Sequence, residues 1–126
     1  MKYILLIYAD VSKAPKYTPE QRKAAEQVNS AYVTEAQEAG VLMRNEGFHI
    51  ITNVTTVRVR DGKTLTTDSP FAETEEKLTG YFKLDCKDLD EAIGWAVKNP
   101  AAKYGSVEVR PVLTWVRDES AEEDKG

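Results

Sequence analysis

Met1-Lys2-Tyr3-Ile4-Leu5-Leu6-Ile7-Tyr8 is an almost wholly apolar run. It is too short to span a bilayer, and no small-residue cleavage site follows it. Tyr3, Leu5 and Ile7 alternate with Ile4, Leu6 and Tyr8, so both sides of the segment are apolar. That pattern predicts a central strand over 2–9, with something to be covered on each face.

Outward from this strand the chain supplies cover for one face only. Thr18-Pro19-Glu20-Gln21 reads as an N-cap, a proline in the first turn and a glutamine three residues after the cap. Ala24, Ala25, Val28, Ala31, Tyr32 and Ala39 recur at helical spacing up to Gly40, which predicts a helix over 19–39. Asp88-Leu89-Asp90-Glu91 opens a second helix, with Leu89, Ala92, Ile93, Trp95 and Ala96 as its apolar stripe and Asn99-Pro100 as its stop.

Between the helices, 41–48 reads as a strand with a bulge or loop at Arg44-Asn45-Glu46-Gly47. Residues 54–60 and 63–67 flank Asp61-Gly62, a two-residue hairpin signal. Residues 78–86 give another strand, with Leu78, Phe82 and Leu84 on one side and Gly80 in step with them. Ser106–Val116 is the last strand, its Val107, Val109 and Leu113 opposing Val112 and Val116. The order predicts an α+β, ferredoxin-like sandwich with a β-hairpin extension, helices on one side of an antiparallel sheet. Its uncovered apolar face predicts sheet-to-sheet homodimerisation.

The 126 residues suit one domain over 1–117, with an acidic, disordered tail over 118–126. A net charge of −4 with no basic run argues against nucleic acid and anionic membranes as partners. A small anionic or polar metabolite stays compatible with that charge, because a pocket can oppose the overall sign. Cys86 is the single cysteine, which excludes an intrachain disulfide and fits a cytoplasmic protein. With Asp85 beside it, Cys86 is expected to be a small buried residue rather than a thiolate. The sequence holds no phosphate loop, nucleophile elbow or paired-histidine spacing, so no cofactor and no metal is expected.

Alternation places polar groups on the face away from the helices. Arg58, Tyr81, Glu108 and Arg110 are expected there, with Asp68 at a nearby loop. An arginine holds a carboxylate or phosphate through paired hydrogen bonds, and a neighbouring carboxylate orients it or takes a proton. Arg58, Arg110, Tyr81 and Phe71 are the candidate binding residues. Asp68 and Glu108 are the candidate bases, and His49, the single histidine, is the imidazole candidate. The plain alternative is a salt-bridged surface.

Thr67-Asp68-Ser69-Pro70-Phe71-Ala72-Glu73-Thr74-Glu75-Glu76 adds turn chemistry, acids and an aromatic side chain in mid-chain. This stretch, the N-terminal strand, Thr56–Gly62, Leu89–Ile93 and Gly105–Val112 together resemble the YCII-related family in its DGPF-domain branch. The resemblance implies a dimeric α/β barrel and brings no settled reaction. Ser69 stands where that branch has glycine, and Glu75 where it has lysine, which replaces a cation by an anion. His49 matches no family histidine, and Asp68 is the better counterpart of the family's acidic residue.

Two functions follow as expectations. One is a small-molecule enzyme of proton-transfer or isomerase type, with a polar pocket at the dimer sheet face. The other is a non-catalytic ligand sensor or interaction module linked to transcription regulation. In a third reading the motif is architectural, Pro70 fixing the turn and Phe71 filling the core.

Overall fold

The computed structural model describes residues 1–10, 16–48, 54–68 and 76–113. The elements are β1 (Lys2–Ala9), α1 (Pro19–Glu38), β2 (Leu42–Gly47), β3 (Thr56–Arg60), β4 (Lys63–Thr67), β5 (Lys77–Asp85), α2 (Leu89–Lys98) and β6 (Ser106–Pro111). A short 3-10 helix, Pro100–Lys103, joins α2 to β6 and was not signalled by the sequence pattern. The main sheet runs β2-β5-β1-β6, every neighbour antiparallel, with β1 central. With two helices this is an α+β fold compatible with a ferredoxin-like sandwich.

Both helix starts form as the side chains dictate. Thr18 accepts from the Gln21 amide while Gln21 accepts from the Thr18 amide, satisfying two donors that helix geometry leaves free. At α2 Asp88 accepts from the Glu91 amide, but Glu91 reaches back to Lys87 rather than to Asp88. Asn99 then caps twice. Its amide ends α2 on the Ala96 carbonyl, and its side-chain oxygen accepts from Ala101 to start the 3-10 helix.

The core lies on one face of the sheet. Tyr3, Leu5 and Ile7 of β1, Leu84 of β5 and Cys86 pack with Ala92, Ala96 and Ala101, and Phe82, Trp95, Val107 and Val109 surround them. Small alanines let α2 approach the sheet closely. Tyr32 binds α1 into the assembly: its ring meets Phe82 and Trp95 edge-on, and its hydroxyl donates to the Trp95 carbonyl at 2.8 Å.

Several expectations change here. Tyr32 and Ala36 are the buried residues of α1, whereas Val28 is exposed, so the helix packs through its C-terminal turns. Leu89 and Ile93 are exposed, which narrows the stripe of α2 to Ala92, Trp95 and Ala96. Leu78 leaves the side it was expected to share with Phe82 and Leu84. Between the Ile7–Gly80 and Tyr8–Leu78 pairs the register shifts, which carries Leu78 to the side of Tyr8. The last strand ends at Pro111; the Val112 amide still donates to the Lys2 carbonyl, but Leu113 is 77% exposed. Val116 and the tail over 118–126 lie outside the described residues.

The irregularity of β2 falls between Leu42 and Arg44, ahead of the Arg44-Asn45-Glu46-Gly47 stretch where a bulge or loop was expected and which instead pairs regularly with β5. Asp61 and Gly62, at φ 51° and 74°, make the tight turn between β3 and β4. Two successive positive φ values suit an aspartate-glycine pair and match the twist of a hairpin. This hairpin is a sheet of its own. Val57 and Val59 on one of its faces are 60% and 59% exposed.

Candidate functional site

β1 places Ile4, Leu6 and Tyr8, all half-buried, on the face opposite the core. Directly paired residues share a face, so the register identifies what surrounds this apolar stripe. Leu6 pairs with Tyr81 on β5 and with Glu108 on β6, and Tyr81 pairs in turn with Glu46 on β2. Ile4 pairs with Lys83 and Arg110, and Lys83 with Arg44. Two polar rows thus cross the sheet on either side of apolar residues.

Charges pair along the strands, from one row to the other. The Arg110 guanidinium donates to the Glu108 carboxylate, and that hydrogen bond, then the charge itself, holds the guanidinium protonated above its ordinary value. On β2 Arg44 and Glu46 form a second pair at 3.1 Å. Tyr81 lies between the two pairs, its ring 6.1 Å from that of Phe48 and tilted by 33°. Strand spacing puts Tyr81 and Glu108 about 10 Å apart across β1, enough for a small molecule to lie between them.

Tyr81, Glu108 and Arg110 therefore occupy one face, as their alternation predicts. Arg58 does not join them on that sheet. It is exposed on β3, paired across the hairpin with Leu65. Asp68 is exposed just beyond the end of β4. At the other end of the same stretch, Glu76 accepts from the Ser106 hydroxyl at 2.6 Å, which ties it to the start of β6. His49 and Phe71, together with Ser69, Pro70 and Glu75, lie outside the described residues.

Arg44, Glu46 and Lys83 were not singled out from the sequence. The same alternation that selects Tyr81 selects Lys83, and the spacing of Arg44 and Glu46 is that of a strand face; the doubt over β2 concealed it.

Cys86 is a free, buried thiol packed in the core. Burial first, then the nearby Glu91 and Asp85 carboxylates, push its pKa up to about 11, so it is no thiolate nucleophile. Among the described residues no group of three His, Cys, Asp or Glu is arranged to hold a metal ion, and no helix is long and apolar enough to cross a membrane. What the open face offers is a hydroxyl, two guanidinium–carboxylate pairs and an ammonium group around an apolar stripe. Such a mixture suits recognition of a small polar or charged molecule.

Residues 1–116 match the YCII-related domain. An uncharacterised protein of Rhizobium meliloti (strain 1021) is 36% identical over 117 residues, covering 91% of this chain and 94% of that protein. The match takes in the central strand, both helices and β6, so it spans the whole sandwich just described, and the chain belongs to the YCII-related family.

Proposed function

We propose that the protein binds a small anionic or polar metabolite on the open face of its four-stranded sheet, and that a second copy of the chain closes over that face. The convergence of Tyr81, Glu108 and Arg110 around Leu6 supports this most strongly. Ile4, Leu6 and Tyr8 give the face an apolar centre that no helix of the chain covers among the described residues. One row is cationic and the other carries carboxylates, so two such faces can meet without like-charge repulsion throughout. A ferredoxin-like, dimeric α/β barrel is the form this assembly takes, in the cytoplasm, where a single reduced cysteine is at home. On this reading the chain falls in the DGPF branch, with Asp68-Ser69-Pro70-Phe71 as its support.

Binding without turnover is the version favoured by the Glu108–Arg110 hydrogen bond, because the carboxylate is already engaged by a cation. The protein then acts as a sensor or interaction module, and a regulator of transcription is the partner such a sensor serves. In the enzymatic version a bound substrate takes over Arg110, and the released Glu108 moves a proton, as in an isomerase. Asp68, at the end of the hairpin, is the second candidate for that base.

A thermal-shift screen of small carboxylates, phosphates and neutral polar metabolites tests the reading. A stabilising compound whose effect is lost in Tyr81→Phe and Arg110→Gln supports it. A compound that stabilises both variants as well as the parent chain contradicts it. Solvent deuterium appearing in the bound compound marks an enzyme, and binding with no exchange marks the sensor.

A further inference from the structure

Lys83 is a half-buried cation of the open face that no ion pair among the described residues balances. It stands half-buried on β5, directly opposite Arg44 of β2 and Ile4 of β1, with Arg110 beyond Ile4. Arg44 has Glu46 and Arg110 has Glu108. Among the described residues no carboxylate lies within salt-bridge distance of Lys83. Like charges at facing positions of a sheet are unfavourable, and partial burial removes some of the water that would screen them. Arg44 and Arg110 in the same row are already paired, and Asp85, two residues along β5 on the same face, is engaged by the N-terminal ammonium at 3.1 Å, so the Lys83 ammonium is the charge left for a ligand beside the apolar surface.

Its surroundings narrow what would pair with it. Ile4 and Leu6 supply apolar surface next to the ammonium group. Tyr81 stands two residues along β5 on the same face, about 7 Å away, and its hydroxyl can donate to a second oxygen. We infer that Lys83 anchors the anionic group, carboxylate or phosphate, of a ligand whose apolar body lies along Ile4 and Leu6, with Tyr81 as the second donor. The assignment rests on the proposed use of this face for binding and adds the ligand class, an amphipathic small anion. Arg44 and Arg110, held by their own carboxylates, shape the field around the anion without being its primary partners.

The test is titration calorimetry on the full chain with hexanoate, hexyl phosphate and 1-hexanol, with sedimentation velocity reporting assembly for each variant. Hexanoate or hexyl phosphate is expected to bind while 1-hexanol does not. Lys83→Gln is expected to weaken the anion by about tenfold or more, the loss typical of one charge-assisted hydrogen bond. Lys83→Arg, which keeps the charge, is expected to retain most of the affinity. Equal binding of 1-hexanol and the anions overturns the inference, because charge then contributes nothing. Anions that bind Lys83→Gln as tightly as the parent overturn it too, and leave the broader reading to the Tyr81 and Arg110 variants. Should no anion bind the parent chain while Lys83→Gln disrupts its assembly, a second copy supplies the missing counter-charge. The ligand assignment then fails and the paired-face reading stands. Absence of anion binding with assembly unchanged also overturns the assignment; the wider metabolite screen then decides the function separately.

Discussion

Glu108 accepts a hydrogen bond from the guanidinium of Arg110 two residues further along β6, and both side chains stand on the face that the helices leave open. Both are substantially solvent-exposed in the single chain, so solvent screens the pair and its contribution to folding is small. Glu108→Gln is expected to leave the urea midpoint almost unchanged and to free Arg110 for an anion. Urea unfolding and anion titration of the same variant check the two halves of that expectation. A large fall in stability would show the pair to be architectural rather than part of a surface kept for binding.

Tyr32 contrasts with that pair because it is buried. Its hydroxyl donates to the Trp95 carbonyl at 2.8 Å, while the Asn99 amide, which ends α2, is engaged by Ala96. Tyr32→Phe keeps the ring contacts with Phe82 and Trp95 and removes only the hydrogen bond. The expected cost is about 1–3 kcal/mol, that of leaving a buried acceptor without its donor. Equilibrium urea unfolding measures it. No loss would mean that α1 is held by its rings alone.

Stability should fall as the solution becomes alkaline. Burial favours the protonated, neutral forms of Cys86 and Tyr32, so the folded chain keeps those protons to higher pH than the unfolded chain. Cys86 moves from an ordinary value of 9.0 to about 11, and Tyr32 from 10.0 to about 12. In each window the unfolded chain binds fewer protons, so unfolding becomes easier as pH rises. The contribution of Cys86 is complete below its ordinary value and is lost up to about 11. Urea midpoints measured from about pH 8 to about pH 11 should decline, and Cys86→Ala should remove the earlier part of the decline.

Gly105 marks the tightest approach of the backbone to the sheet. A Cβ there would lie 2.1 Å from the Tyr8 carbonyl oxygen, a backbone atom that cannot swing aside. Gly105→Ala is expected to lower stability by about 1–3 kcal/mol, as overpacking does. Amide exchange at the start of β6 should accelerate more than exchange in the β1–β5 ladder. Uniform exchange across the sheet would show that the strain spreads instead of opening that edge.

The sequence exposes the frame of this fold because each element carries its own local signal. Thr18 with Gln21 and Asp61-Gly62 are chemical instructions that act within a few residues and are carried out in full, while Asp88 caps α2 but its partner Glu91 turns to the Lys87 amide instead. The faces were less legible. Leu78 changes sides because of a register shift against β1, and Leu89 and Ile93 face solvent because small alanines make the contact with the sheet. Such outcomes depend on where separate elements meet, which no local pattern encodes.

The same distinction explains the candidate site. Alternation along one strand correctly groups Tyr81 with Lys83, and Glu108 with Arg110. It cannot say which strands are neighbours, and so Arg58 was grouped with them although its hairpin forms a separate sheet. Arg44 and Glu46 reach the face through a bulge in β2. Only the pairing across β5 reveals them.

Sedimentation velocity of the parent chain and of Leu6→Arg asks whether a second copy closes over the open face. Leu6 sits between Tyr81 and Glu108 at the centre of the open face, away from the core that folds the single chain. A dimer is expected for the parent, and for Leu6→Arg a monomer whose circular dichroism shows it folded. A monomeric parent, or a Leu6→Arg variant that dimerises as well as the parent, would contradict that closure.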